Sequence, residues 1–463
     1  DPEKIKFFKD NNFVDICVGY DGEIPFAQII RLLLSGKNSE SIRKAKVAGT
    51  YSFDRINNAI LFSQNKAPRL DSLDVFGPVY ANGQFDEFLD DGFHPFLQTH
   101  RGCPFTCAFC HTSDPYYSRM LFLPPEIFRQ DMEYLGRRFS GRHDIVLYMA
   151  NTNMSLFEQD FLIAWIIRQT QEKYDWPRII SVNSGKDPKK LLKMLSIIKF
   201  QPGIALQTLT PRVLKNIGRI NIPFNEFVSF QREVLRKTGE HSTTELILCL
   251  PEETKESFLA TLRQVLNSGV QNVVIYTLMN LKGTTLSLPE VAKKYGYVIR
   301  HRVVPRQFSL LEGKMILDTE EVVVGTDTMS FADYLELRGI AFTVTSFFGS
   351  AELMPLRRLL VEYDLDLSEW VFGIHGNLVR QETLKGLYET FMRDTRDELF
   401  VDRQSLIKFF EKEENFAALV AGKFGDNLLR KYKCLIIAGH YRELLGLALT
   451  EAQRLLSKRL GEK

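Results

Sequence analysis

Cys103, Cys107 and Cys110 stand within eight residues, in the run His100-Arg101-Gly102-Cys103-Pro104-Phe105-Thr106-Cys107-Ala108-Phe109-Cys110. The C-x3-C-x2-C spacing offers three thiolates from one short loop, and no fourth cysteine follows nearby. A [4Fe–4S] cluster used only to pass electrons takes four cysteines, so three leave one iron open to a small molecule. Two other chemistries use the same residue types. Structural zinc wants four closed ligands, usually in two pairs; His111 adjoins Cys110, but no second pair lies within reach in sequence. A disulfide needs a partner, and Cys17, Cys249 and Cys434 are scattered, each reading as a small apolar residue. The spacing favours the cluster and leaves zinc open.

A loop of this kind must be held by the elements on either side of it. Short apolar runs alternate with amphipathic segments from residue 94 onward. Strands are expected at 96–99, 144–149, 179–182, 203–209, 244–250 and 273–278. Helices are expected at 124–138, 157–171, 188–198 and 255–267, with another beginning near Asn225. Six strands separated by helices point to right-handed βαβ units and a parallel sheet. Six units are too few to close an eight-stranded barrel, so the expected fold is α/β, an open, partial (β/α)6 barrel. Ligands bind at the carboxyl ends of strands in such sheets, and the cysteine loop follows the first strand.

The flanks differ in texture. Residues 13–23 read as a strand running into a turn, 25–34 as a helix, and 69–76 as a domain junction. Beyond residue 300 come β-prone pieces at 314–318 and 321–324, then mostly helical sequence. Acidic and basic residues alternate over 391–412, the mark of a solvated helix face. The expected organisation is therefore residues 1–93, 94–300 and 301–463.

The bulk numbers fit an ordinary globular protein of two or three domains. The chain has 463 residues, 44% of them hydrophobic and 25% charged, with 18 prolines and 29 glycines. A net charge of +2 implies no broad basic field for nucleic acid. No apolar run approaches the roughly 18 residues that span a bilayer, and six cysteines do not make a disulfide scaffold. No signal-peptide pattern opens the chain, and a reducing cytoplasm is expected.

The cysteine spacing, with the aromatic Phe109 before the last cysteine, resembles the radical S-adenosylmethionine (SAM) enzymes. Later segments are similar to the branch of that superfamily that carries an N-terminal cobalamin-binding domain. They are Gln207-Thr208 with Leu214, Lys215 and Arg219; Leu250-Pro251-Glu252-Glu253-Thr254, with Glu252 where a glycine is usual; Gly283-Thr284; and the stretch 320–334. Together they cover most of 94–340. Val14-Asp15 to Gly22-Glu23 resembles the closing strand of the cobalamin domain, but the Asp-x-His-x-x-Gly signature is absent and no histidine precedes His94. Three possibilities stay open for 1–93: a domain cut short, cobalamin bound without a histidine ligand, or a remnant that binds none.

The resemblance implies a partial radical SAM barrel after a small cobalamin-binding-like α/β segment and before a mostly helical extension. It implies a [4Fe–4S] cluster on Cys103, Cys107 and Cys110, reductive SAM cleavage to methionine and a 5′-deoxyadenosyl radical, and methyl transfer to an unactivated centre with cobalamin. The alternative is hydrogen abstraction without cobalamin, ending in rearrangement, epimerisation or oxidation. By resemblance Phe109 packs near the adenine and Asn151 or Asn153 meets the SAM amino group. Asn183, Ser184 and Gln207 are candidates for the ribose or carboxylate. Glu245, expected to point into the barrel, needs a partner such as Lys215 or Arg219. Leu248 and Leu250 fit the adenine-binding stretch, and core packing fits them as well.

His111, Asp114, Tyr116, Tyr117 and Arg119 crowd the loop where substrate would sit. His301, His375 and His440 have no partner spacing and read as structural or exposed. The expected partners are a small-molecule or biosynthetic-intermediate substrate and an electron donor such as flavodoxin or ferredoxin, with no nucleic acid and no membrane span. A methylthiotransferase would need a second cysteine set, which is missing. A non-catalytic iron–sulfur or zinc scaffold leaves the later motifs unexplained.

Overall fold

The computed structural model describes residues 2–63, 66–239, 241–378 and 382–461. In chain order the N-terminal part holds α1 (Pro2–Asp10), β1 (Ile16–Val18), α2 (Glu23–Leu34), α3 (Ser39–Lys44), β2 (Thr50–Asp54) and β3 (Ala59–Phe62). Its three strands form one antiparallel sheet in the order β1-β2-β3. A short helix, α4 (Asp86–Asp90), precedes the cysteine region.

The centre is α/β. β4 (Phe96–Leu97) is followed by a small antiparallel pair, β5 (His100–Arg101) and β6 (Leu121–Phe122), whose strands bracket the cysteine loop. Next come α5 (Pro125–Arg138), β7 (Leu147–Met154), α6 (Glu158–Tyr174), β8 (Ile180–Ser184) and α7 (Pro188–Leu195). β4, β7 and β8 run parallel in that order. After α8 (Pro211–Asn216) and α9 (Phe224–Thr238), β9 (Thr243–Leu248), α10 (Lys255–Leu266) and β10 (Asn272–Thr277) add a second parallel pair. No closed barrel forms among the described residues.

The helices begin where local chemistry says they should. α5 opens on Pro125, whose missing N–H costs nothing in a first turn, and closes on Arg137 and Arg138 at the negative end of the helix dipole. Asp187 caps α7 by accepting from Lys189 N and Lys190 N at 2.9 and 3.1 Å. Thr254 caps α10 through Ser257 N at 3.1 Å. The inner faces of α5 and α6 bury Phe128, Met132, Leu135, Ile163 and Ile167 against the sheet.

The strand expected at 203–209 is reduced to two isolated parallel bridges, Gly203 to Thr243 and Gln207 to Leu246. Three local features explain this. Pro202 has no N–H for a ladder, and Gly203 N donates to the Ser184 hydroxyl at 3.0 Å. Gln207 takes a positive φ of 64°, which no regular strand contains. Side chains then satisfy the backbone: Arg219 donates to Ala205 O, and Asn221 donates to Leu206 O and Thr208 O, both at 2.9 Å.

Beyond α11 (Pro289–Lys294) the two β-prone pieces are one strand. β12 (Lys314–Gly325) folds back antiparallel on β11 (Val298–Leu311). Eight further helices, from Phe331–Thr343 to Tyr441–Gly461, fill the C-terminal part among the described residues. Arg302 ties hairpin to helices, pairing with Glu320 at 2.6 Å and Glu398 at 3.2 Å. The alternating-charge stretch 391–412 is a solvated face only in part: Phe391, Leu406 and Phe410 are buried and Glu398 is drawn into that ion pair. No helix among the described residues is long and apolar enough to cross a membrane.

Candidate active site

The cysteine loop is pinned from three directions. Cys103 N donates to Tyr117 O at 3.0 Å, Ala108 N to Ile217 O at 2.8 Å, and Leu286 N to Ala108 O at 3.0 Å. Thr152 at the end of β7 donates to Gly102 O at 2.9 Å. Beneath the loop, buried His100 meets the Asp160 carboxylate of α6 at 3.1 Å, and its ring packs edge-on to Phe157. All three thiols are free, Cys103 and Cys107 buried and Cys110 half-buried, and all three line one cleft of about 430 Å³. That volume lies within the range of small-molecule sites, roughly 300–1,000 Å³.

Each sulfur has a polar neighbour. Asn153 Nδ2 donates to Cys103 Sγ at 3.4 Å, and the Thr112 hydroxyl lies 3.2 Å from Cys110 Sγ. Lys186 Nζ and Arg219 Nη1 both approach Cys107 Sγ, at 3.8 and 3.6 Å. Burial pushes the Lys186 ammonium below its ordinary value, Arg219 adds to that, and the Cys107 and Cys103 sulfurs oppose it. Among the described residues no three His, Cys, Asp or Glu side chains converge as a single-metal site does. The His111 ring instead lies where a side chain on Gly283 would point. Three free thiols around one cleft, with donors placed to offset thiolate charge, suit an iron–sulfur cluster.

The same cleft collects most of the candidate SAM residues. Phe109, Asn153, Asn183, Ser184, Gln207 and Glu245 all line it. The positive φ of Gln207 sets its side chain beside Glu245, with Nε2 3.4 Å from Oε2. Its Oε1 is buried and meets no donor among the described residues. Gln207 lines the cleft, and an unsatisfied buried acceptor there is the kind of group that a ribose hydroxyl or an ammonium would satisfy. Glu245 meets Gln207, not Lys215 or Arg219, because Arg219 is drawn to Ala205 O, Asn221 Oδ1 and the Cys107 sulfur.

Two candidates are not brought to the cleft. Asn151 is fully buried, accepting from Thr99 N at 2.9 Å and donating to the Thr99 hydroxyl at 2.6 Å, so its amide ties β7 to the start of the cysteine region. Leu250, like Leu248, is fully buried in the main hydrophobic core.

The N-terminal turn docks on the loop after the cysteines. The Tyr20 and Tyr116 rings lie 4.4 Å apart, and Asp21 N donates to the Tyr116 hydroxyl at 3.4 Å. Arg69 pairs with Asp21 at 3.0 Å, both largely buried, and its guanidinium lies over the Tyr116 and Tyr117 rings. Burial, reinforced by the Asp21 charge, raises both phenols. Arg101 adds a 2.5 Å pair with Glu23.

Two residues have roles that the sequence did not assign. Lys186 was detectable only as a lysine just beyond the third strand, at the end where ligands bind. Glu253 is fully buried and accepts from Thr208 Oγ1 at 2.6 Å, Thr210 Oγ1 at 2.9 Å and Ser257 Oγ, clamping the turn after β9 to the segment after Gln207. Its signal was a carboxylate directly before an N-cap threonine in an apolar setting.

The neighbouring Glu252 holds a φ of 64° where the resembling turn has glycine. A left-handed non-glycine residue costs on the order of 1 kcal/mol, and its 3.8 Å pair with Arg212 is exposed and worth little. Glu252→Gly should raise stability by about 0.5–1 kcal/mol, seen as a higher urea midpoint at unchanged slope. A lower midpoint would show that the Arg212 contact outweighs the strain.

The family model for the radical SAM superfamily matches residues 97–265. The chain is 27% identical over 316 residues to the cobalamin-dependent radical SAM methyltransferase TokK of Streptomyces tokunonensis, covering 65% of this chain and 44% of that protein. It is 23% identical over 355 residues to the 2-(S-pantetheinyl)-carbapenam-3-carboxylate methyltransferase of Streptantibioticus cattleyicolor, covering 73% and 50%. The chain thus spans about half the length of these curated relatives. Its fold is similar to the solved structure of OxsB, a cobalamin-dependent SAM radical enzyme with aqua-cobalamin bound. There the TM-score is 0.53 at 13% identity, over 98% of this chain and 70% of that one. The three cysteines lie inside the segment that matches the radical SAM superfamily, and TokK, similar to this chain over 316 residues, is a cobalamin-dependent radical SAM methyltransferase.

Proposed function

We propose that this chain is the catalytic part of a radical SAM methyltransferase that acts with cobalamin on an unactivated centre of a small molecule. The observation that carries the reading is the single cleft in which three free cysteines meet the orphaned Gln207 acceptor. The cluster, when bound, supplies the electron for SAM cleavage. Cys103, Cys107 and Cys110 would hold it, and the absence of a fourth cysteine nearby would leave one iron to SAM.

Phe109 offers an apolar wall for the adenine. Asn153, Asn183, Ser184, Gln207 and Glu245 supply the acceptors and donors that would orient the ribose and the methionine end. Asn151 and Leu250 are better read as support, since both are committed to the interior. The parallel strands and their bridged neighbour at 203–207 support a partial (β/α)6 barrel over 94–300. The hairpin beginning at Val298 leads into the 301–463 extension.

Cobalamin enters through the similarity to TokK, a cobalamin-dependent enzyme, and through the resemblance of residues 14–23. Residues 1–93 contain no histidine, so none of them could give cobalt an imidazole. Methyl transfer is preferred over the cobalamin-independent alternative because both similar proteins are methyltransferases. A one-electron donor of the flavodoxin or ferredoxin type and a reducing compartment follow from the chemistry.

The test is anaerobic reconstitution with iron and sulfide, with and without cobalamin, followed by assay of SAM products under reductant. Retained corrin absorbance with both 5′-deoxyadenosine and S-adenosylhomocysteine is the expected result. Deoxyadenosine alone would favour the alternative, and a protein that takes up no iron would overturn both.

A further inference from the structure

Cys107 differs from its two neighbours in the charge around it. The Cys103 and Cys110 sulfurs meet an amide and a hydroxyl, whereas the Cys107 sulfur is approached by two cations, Lys186 at 3.8 Å and Arg219 at 3.6 Å. The two cations are held differently. Arg219 is 7% exposed and fixed by Ala205 O and Asn221 Oδ1, so it belongs to the scaffold of the bridged segment. Lys186 has no carboxylate partner among the described residues; its ammonium sits 3.9 Å from the centroid of the Phe105 ring and reaches only toward the sulfur. Beyond that ring contact, the sulfur is the one polar group the ammonium approaches among the described residues.

We propose that Lys186 is a positioning residue whose charge, placed on the Cys107 sulfur beside Arg219, raises the reduction potential of the cluster that the three cysteines would hold. The inference rests on the cluster reading above. Adding one electron to the cluster makes the thiolate-bound unit more negative, so a fixed neighbouring cation stabilises the reduced state more than the oxidised one. Partial burial weakens the screening by water that would otherwise cancel the effect. Hydrogen bonds to cluster sulfurs and local charge are established levers on iron–sulfur potentials. The effect needs no bond made or broken: one electron arrives from the external donor and stays on the cluster.

The test uses Lys186→Met, which keeps an unbranched stem against Phe105 and removes the charge, and Lys186→Arg, which keeps the charge. Each protein is reconstituted anaerobically, its iron and sulfide are counted, and it is poised with dithionite and mediators while the reduced cluster is read by electron paramagnetic resonance. At the wild-type midpoint, Lys186→Met should lower the reduced-to-oxidised ratio about tenfold, equivalent to about 59 mV for one electron, and Lys186→Arg should hold the wild-type ratio. A fully loaded Lys186→Met protein with an unchanged ratio overturns the proposal. Should Lys186→Met retain no iron, Lys186→Arg decides. Wild-type iron and ratio there support a charge requirement, and iron loss there overturns it in favour of a packing role. A wild-type protein that takes up no cluster fails earlier, and sinks the cluster reading itself.

Discussion

A Cys107→Ala protein should purify folded yet leave anaerobic reconstitution with its bound iron cut more than about tenfold and without 5′-deoxyadenosine formation. Three thiolates are the fewest that leave a single iron open, and two cannot anchor a cube in the same way. The position also concentrates the local electrostatics, because alanine would leave Lys186 and Arg219 without the sulfur they both approach.

The fold should survive the change. The loop is fastened through its backbone, and the bonds from Ala108 N to Ile217 O and from Cys110 N to Cys107 O do not involve the lost atom. The removed group is a single buried sulfur, so the stability loss should be about 1 kcal/mol. Iron and sulfide analysis, the visible spectrum and thermal unfolding separate the two effects. A variant with full iron and undiminished SAM cleavage would remove Cys107 from the ligand set.

That experiment probes the part of the molecule most legible in the sequence. The cysteine spacing is local, lying within one loop of the chain, and so are the helix starts at Pro125, Asp187 and Thr254. Placement of the cysteines after the first strand followed from the alternation of apolar runs. What the sequence hid is what depends on distance. Gln207 looked like the end of a strand, but Arg219 and Asn221, more than ten residues on, take up the carbonyls a ladder would have used. Asn151 and Asn153 differ by two positions and should share a face of β7. They part because Thr99 captures the first and the Cys103 sulfur the second. Leu250 fitted either the cofactor or the core, and burial assigns it to the core. The meeting of Tyr20, Asp21 and Arg69 with Tyr116 joins segments that no periodicity connects.

Gly102→Ala should be the most damaging single-methyl change near the site. Gly102 has a φ of 114°, which L side chains rarely adopt, and that alone costs on the order of 1–3 kcal/mol. The added carbon would also lie 2.7 Å from Tyr117 O and 2.9 Å from Arg119 O. Both obstacles are backbone, so no side-chain rotation relieves them. The 115–119 turn must move, and it carries the acceptor for Cys103 N as well as the tyrosines that meet the N-terminal turn. Stability should fall by roughly 3 kcal/mol, and cluster retention during desalting by about tenfold, although every cysteine is still present. Denaturant unfolding of the iron-free protein measures the first effect, and iron content before and after gel filtration the second. Normal retention together with a large stability loss would mean that Cys103 keeps its place without the Tyr117 bond. The loop would then be set by its remaining contacts with Thr152, Ile217 and Leu286.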